Sequence, residues 1–252
     1  MEEKMNPLKK TARVAGILYI IMDVFMIFGG MYVDSKIYVP GDAMATVSNI
    51  LASEWLFRLG FVSNLVGLIF QLLLVHALYE LFKSVDRGQA RLMVILVVAG
   101  VSVAFLNNLN LYAPILLLSG AGHLSAFDPA QLQTLSMVFL DMYKHGFMIS
   151  EIFWGLWLIP LGLLVYKSRF VPKVLGVLLI VGCFGHLLSF FSTFLFPDYS
   201  AILIPISETV MSGELPIFLW LLIKGVKDQQ PSTTEPRNPI LGQELAGEVR
   251  ET

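Results

Sequence analysis

Residues 12–33 read ARVAGILYIIMDVFMIFGGMYV, and this stretch decides the fold. At ~1.5 Å per helical residue, it is long enough to cross a hydrocarbon core of ~30 Å. It is longer than the apolar core of a secretory leader, about 7–15 residues, and lacks a small-x-small cleavage site. It is therefore expected to stay in the chain as a first span. Lys4, Lys9, Lys10 and Arg13 precede or open it.

Five further stretches satisfy the same length and polarity test, at about 55–82, 91–118, 147–166, 172–196 and 200–223. Spanning β-strands would show short alternating segments of about ten residues, a pattern this sequence lacks. Composition agrees. Of 252 residues, 56% are hydrophobic and 14% charged, against about 25% charged in a soluble domain. There is too little polar side chain to coat a water-facing surface, and mean hydropathy is +0.73.

Basic residues orient the bundle. Lys83, Arg87 and Arg91 follow span two, and Lys167, Arg169 and Lys173 follow span four. Lys224, Lys227, Arg237 and Arg250 follow span six. With the N-terminal cluster these make fourteen, against Lys36, Arg58 and Lys144 on the other side. The reading is an all-α, polytopic six-helix membrane bundle with both termini cytoplasmic. It comprises a flank at 1–11, a membrane domain at 12–227 and a tail at 228–252. The tail is polar and proline-rich and is expected to be disordered. The expected location is the cell membrane, with the lipid bilayer as the obligate partner.

The expected outer loops are longer than the inner ones. Asp42 is placed to cap a short helix from Ala43 to Ser53, and Asn49 to cap a turn. Asp128 ahead of Pro129 marks a second helix start. Leu132, Leu135, Val138, Phe139 and Met142 then recur at helical spacing. They predict an amphipathic helix to about Tyr143, either on the membrane surface or extending span four. Trp55, Tyr143 and Trp154 suit an outer aromatic belt, whereas Trp157 is deeper.

Several strings, taken in order, resemble one family. They include Arg13-Val14-Ala15-Gly16-Ile17-Leu18-Tyr19, Val39-Pro40-Gly41-Asp42-Ala43-Met44-Ala45-Thr46, and Asn49-Ile50 through Phe57-Arg58. Phe153-Trp154-Gly155-Leu156-Trp157-Leu158, Pro160-Leu161-Gly162, Tyr166-Lys167-Ser168, Pro172-Lys173-Val174-Leu175-Gly176 and Gly213-Glu214-Leu215 continue the series. From about Arg13 to Lys227 the chain resembles the prokaryotic membrane family called domain of unknown function 4386. Ser168-Arg169-Phe170 departs from that pattern, at an inner turn. The resemblance implies six spans in the cell membrane, and it implies no activity.

Ionisable groups inside a span cost about 2.5–3.5 kcal/mol on insertion scales, so each needs a reason. Asp23 lies near the middle of span one. Glu151 lies one turn inside span four, His186 in the outer half of span five, and Glu208 and Glu214 in span six. With Asn107 on span three and Arg58 at the start of span two, these are the candidate ligand-binding residues. Asn64 and Gln71 share a face of span two, and Asn107 and Asn110 a face of span three. His186, Ser189 and Thr193 form a polar stripe that must face the bundle interior. Hydrogen bonds that merely glue the helices together explain the same amides and hydroxyls. Arg58 also fits simple snorkelling to the interface.

Glu214 lies in Ser212-Gly213-Glu214-Leu215-Pro216, with Pro205 earlier in the span. Proline removes a backbone donor and glycine adds freedom, so the helix is expected to break there. Broken spans line transporter substrate sites, although a simple kink gives the same sequence. The single cysteine, Cys183, excludes an intrachain disulfide and a cysteine metal cluster. No P-loop, His-Glu-x-x-His or Gly-x-Ser-x-Gly motif occurs. His145 and His186 are the only histidines at compatible depth for a metal or haem, and no cofactor is expected.

Net charge of -2 gives no field for nucleic acid. Three readings stay open. The chain binds or moves a small molecule or ion through an outward-facing polar pocket. It is an enzyme acting on a lipid or isoprenoid through His145, Glu151, His186 and Glu208. Or it is a sensory or accessory subunit without chemistry. The first, non-enzymatic reading leads. Oligomeric state is not encoded in any feature of the sequence.

Overall fold

The computed structural model describes residues 7–226. Lys4, Lys227, Arg237, Arg250 and the expected disordered tail at 228–252 lie outside the described residues. Six helical stretches are long and apolar enough to cross a membrane: Pro7–Ile37, Glu54–Phe82, Arg87–Leu117, Pro129–Lys167, Lys173–Leu195 and Pro197–Ile223. Their outer surfaces are apolar, with Val24, Ile95, Leu106 and Ile202 all exposed. In a membrane protein that is the face lipid coats.

The first span begins as α1 (Pro7–Ile27), ahead of the expected start at Ala12. It passes into a π-helical turn (Phe28–Val33) and ends in α2 (Asp34–Ile37). The widened turn coincides with Gly29, where a Cβ would collide with Asn64 and the Gly60 carbonyl. The chain thus bulges where it presses closest to the second span. Such π-bulges recur at functional sites.

A short helix, α3 (Ala43–Ala52), follows. The Asp42 carboxylate accepts from the Ala45 amide at its N-terminus, and Asn49 donates to the Ile37 carbonyl. The second span is α4 (Glu54–Phe82) and the third α5 (Arg87–Leu117). Asp86 caps α5 through the Gln89 amide and pairs with Lys167 at 2.8 Å. Two neighbouring basic loops are tied together by that ion pair.

The amphipathic segment from Pro129 is not a separate surface helix. It runs unbroken into the fourth span as α6 (Pro129–Leu156), with a reciprocal capping box between Asp128 and Gln131. The helix is offset at Trp157 and resumes as α7 (Leu158–Lys167). Pro160 explains the offset, because its ring clashes with the carbonyl four residues back, at Leu156. The fifth span is α8 (Lys173–Leu195). The sixth is split into α9 (Ser200–Met211) and α10 (Leu215–Ile223) by a 3₁₀ turn, Ser212–Glu214.

Small residues set the helix spacing, as expected where packing rather than water drives association. Cβ atoms on Gly162 or Gly176 would each meet the other's carbonyl at 2.6 Å, so α7 and α8 lie backbone to backbone. One apolar core, at the basic-loop half, gathers Leu78, Phe82, Met93, Leu161, Leu179 and Phe218. A smaller one at the opposite end gathers Val33, Ile50, Phe57, Leu111 and Leu140. A polar layer lies between them.

Spans one and six meet at only one end. Tyr19 stacks on Phe218 with ring centroids 3.6 Å apart, and Gly16 lies against Leu222. Beyond the break, α9 packs on α8 through Gly185, against Met211 and Ser207. There α9 and α1 hardly touch. The two spans therefore diverge like the arms of a V, away from the basic loops.

Candidate functional site

Each wall of the polar layer comes from a different helix. Asn64 and Gln71, seven residues apart on α4, are both buried. Asn107 and Asn108 on α5 are buried as well. Asn107 donates to the Tyr143 carbonyl at 2.8 Å and accepts from Asn110, which holds its amide in place. Gly146 permits that approach, since a Cβ there would collide with the Asn107 amide. Asn64 donates to the Tyr143 hydroxyl at 3.1 Å.

Glu151 on α6 and His186 on α8 form the buried heart of the layer. Their Oε2 and Nδ1 lie 2.7 Å apart, with both side chains under 10% exposed. Gly155, one turn beyond Glu151, makes room, because a Cβ there would meet the His186 Cβ at 2.8 Å. On the other side of the ring, Nε2 lies 4.0 Å from the Glu214 carboxylate. That gap exceeds hydrogen-bond length. Glu214 comes from the 3₁₀ turn that breaks span six, and Asp23 and Tyr19 of α1 lie within electrostatic reach of it.

Two cavities adjoin these groups. The inner one, about 420 Å³, is lined by Asn64, Gln71, Asn107, Asn108, His186 and Glu214, and by apolar groups including Trp154 and Trp157. The other, about 410 Å³, lies toward the end away from the basic loops, among Asp34, Tyr38, Lys144, His145 and Thr193. Gly30, Asn64, Tyr143 and Phe147 line both, so the two spaces are neighbours divided by the Asn64–Tyr143 hydrogen bond.

Four residues that line the inner cavity carry hydrogen-bonding atoms left without partners. Gln71 Oε1, Asn108 Oδ1, Trp154 Nε1 and His186 Nε2 are buried and make no hydrogen bond. Buried polar atoms are nearly always paired, so four orphans on residues that line one cavity single out its wall as polar and unsatisfied. Two accept, one donates, and the imidazole nitrogen does either according to tautomer.

Of the sequence candidates, Asn107, His186 and Glu214 line the inner cavity, Glu151 pairs with His186 behind its wall, and Asp23 lies within electrostatic reach of Glu214. His145 lines the outer cavity instead, its Nδ1 against the Asp141 carbonyl of its own helix. About 9 Å of helix separates it from Glu151, so His145 and His186 do not form a pair. Arg58 is engaged by Glu54 on its own helix at 2.6 Å and lines neither cavity. Glu208 is exposed and lines neither. Among the described residues, no three His, Cys, Asp or Glu side chains are grouped to hold a metal.

On sequence alone Tyr143 and Trp154 belong to an interfacial belt, and Asn108 does not stand out. Tyr143 and Trp154 share a face of α6, eleven residues apart, and that spacing was the available signal. Asn108 gave no signal, because its neighbour Asn107 satisfied the same pattern.

A family model described as Domain of unknown function (DUF4386) matches residues 14–225. An uncharacterized protein of Archaeoglobus fulgidus is 37% identical over 79 residues, covering 31% of this chain and 46% of that relative. The matched segment thus spans about half of the relative's length. No solved structure matches the chain.

Proposed function

The chain belongs to the family described as domain of unknown function 4386, and from that premise we propose that it is a small-molecule binding or transport protein. Its ligand occupies the inner cavity and enters from the end away from the basic loops. The observation that carries the reading is the set of four unpaired hydrogen-bonding atoms on residues that line one cavity. The broken sixth span adds to it, because it delivers a carboxylate, Glu214, to the cavity wall. The positive-inside rule supports basic loops and both termini in the cytoplasm of a prokaryotic cell, with one membrane domain at 12–227.

A thermal-shift screen of purified protein against small polar solutes tests this. At least one solute raises the melting temperature of the wild type, and the Gln71→Leu/Asn108→Leu double variant loses that response. No shift from any solute would remove the basis of the proposal.

A second reading is a membrane-embedded enzyme acting on a lipid. It is supported by the Glu151–His186 pair, which fixes the imidazole and leaves Nε2 unpaired on a residue that lines the cavity. In that case His186→Asn abolishes turnover of a bound lipid while leaving its affinity intact; loss of affinity instead favours simple binding.

A further inference from the structure

We infer that the ligand of the inner cavity is an organic cation with an apolar body, an amphiphilic amine or its close relatives. The inference rests on the binding role proposed above and names the chemistry of the guest. Two carboxyl groups, Glu151 and Glu214, flank a single imidazole, a third, Asp23, lies within electrostatic reach of Glu214, and no Lys or Arg is among the lining residues. Glu151 is already engaged by His186 Nδ1. Among the described residues the Glu214 carboxylate has no side-chain hydrogen bond, only the 4.0 Å approach to His186, and it lines the cavity, so a cationic guest supplies the partner it lacks. An anionic guest would meet carboxylates with no fixed positive charge to offset them.

The orphaned atoms point the same way. Gln71 Oε1 and Asn108 Oδ1 are acceptors, both more than nine-tenths buried as residues. They call for a donor-rich guest, and an ammonium group offers up to three N–H bonds and accepts none. The aromatic wall agrees. Trp154, Trp157 and Phe147 line the same cavity, and indole faces attract cations most strongly when water is excluded.

The apolar body follows from the way in. Ile27 and Met31 line the inner cavity yet are 53% and 66% exposed on the outside of span one. They lie on the arm of the V that has separated from α9. The mouth therefore faces the bilayer as well as the outer cavity, and an alkyl chain can rest against Ile27 and Met31 while the charged head reaches Glu214. The outer cavity does not compete for the cation. Lys144 already sits there, its ammonium 2.8 Å from the centroid of the Tyr38 ring.

The test compares three probes of equal chain length, hexylammonium, hexanol and hexanoate, on full-length protein in nanodiscs, read by tryptophan fluorescence. Hexylammonium binds about tenfold or more tightly than the other two, the discrimination expected of a charge-assisted hydrogen bond. Glu214→Gln lowers its affinity to that of hexanol. Should Glu214→Gln fail to fold, the ranking of the three probes on wild-type protein decides alone. Equal or tighter binding of hexanol or hexanoate overturns the cation assignment and leaves the cavity as a binding site. Binding of none of the three overturns both. Two competitors then separate the sources. Displacement by propylammonium indicates a guest from water, displacement by bilayer-dissolved dodecylammonium a guest from lipid, and displacement by neither overturns the assignment.

Discussion

The side-chain amide of Asn64 donates to the hydroxyl of Tyr143 at 3.1 Å, across 79 residues of sequence, and both residues border both cavities. The bond is the partition between the outer space and the inner one. It is a neutral interhelical hydrogen bond, worth about 1 kcal/mol net. A partition that weak opens thermally and often.

Tyr143→Phe removes the hydroxyl while keeping the ring, so the inner cavity becomes easier to reach. The check is labelling of a cysteine placed at Ala104, an inner-cavity position, in a Cys183→Ser background. The Phe variant reacts with a polar maleimide about fivefold faster, the factor that ~1 kcal/mol represents.

Glu151 and His186 are coupled, so their substitutions are not additive. Glu151→Gln and His186→Asn each lower the melting temperature, and the double variant loses less than the sum. The coupling is expected near 1 kcal/mol, within the range found for hydrogen bonds between membrane helices. Thermal or denaturant unfolding of the four proteins in one detergent measures it.

At the basic-loop end, Lys167 beside Asp86 holds the Asp86 carboxyl below the usual carboxylate range, and the Gln89 amide adds to this. A depressed acid stabilises the fold wherever pH is above its unfolded value, and that contribution disappears as pH falls through the folded one. Asp86→Asn preserves the helix cap, since asparagine caps as well as aspartate. The variant therefore melts lower than wild type at pH 6, and the difference closes below about pH 4. Melting curves across that interval provide the test.

Glycines with the same composition have opposite tolerance. A Cβ on Gly16 would come within 2.7 Å of the Leu222 backbone, while one on Gly30 would meet nothing within 4 Å. Gly16→Ala forces spans one and six apart where they close the V, costing about 1–3 kcal/mol as overpacking does. Gly30→Ala leaves stability nearly unchanged. Comparing their melting temperatures tests whether the two spans meet there.

Glu208 is an exposed carboxylate within a spanning helix and borders neither cavity. Glu208→Leu therefore stabilises the protein in lipid, by some part of the about 2.5–3.5 kcal/mol that a charge costs at the bilayer centre. Response to the solutes of the thermal-shift screen stays as in wild type. Lost response would place Glu208 in the site.

The class and number of the spans follow from local sequence alone. Long apolar runs are a local property, and a bilayer demands about 20 such residues whatever their neighbours do. Local sequence also locates the interruption in span six, because Gly213 and Pro216 act on the backbone directly. Residue type and depth brought Glu151, His186 and Glu214 forward as candidates together.

Which of the buried polar groups meet was decided only by the tertiary structure. Glu214 and Glu208 lie six residues apart on one span, yet one faces His186 and the other faces outward. Six residues at 3.6 per turn already set the two about 120° apart, but which of them turns inward depends on how the span packs against α8. Tyr143 likewise read as an interfacial aromatic until α4 brought Asn64 to its hydroxyl. Rotation of a helix about its axis costs the apolar pattern little when lipid is as greasy as the core. It was therefore fixed by close approaches such as Gly16 to Leu222 and Gly155 to His186, which no single stretch of sequence contains.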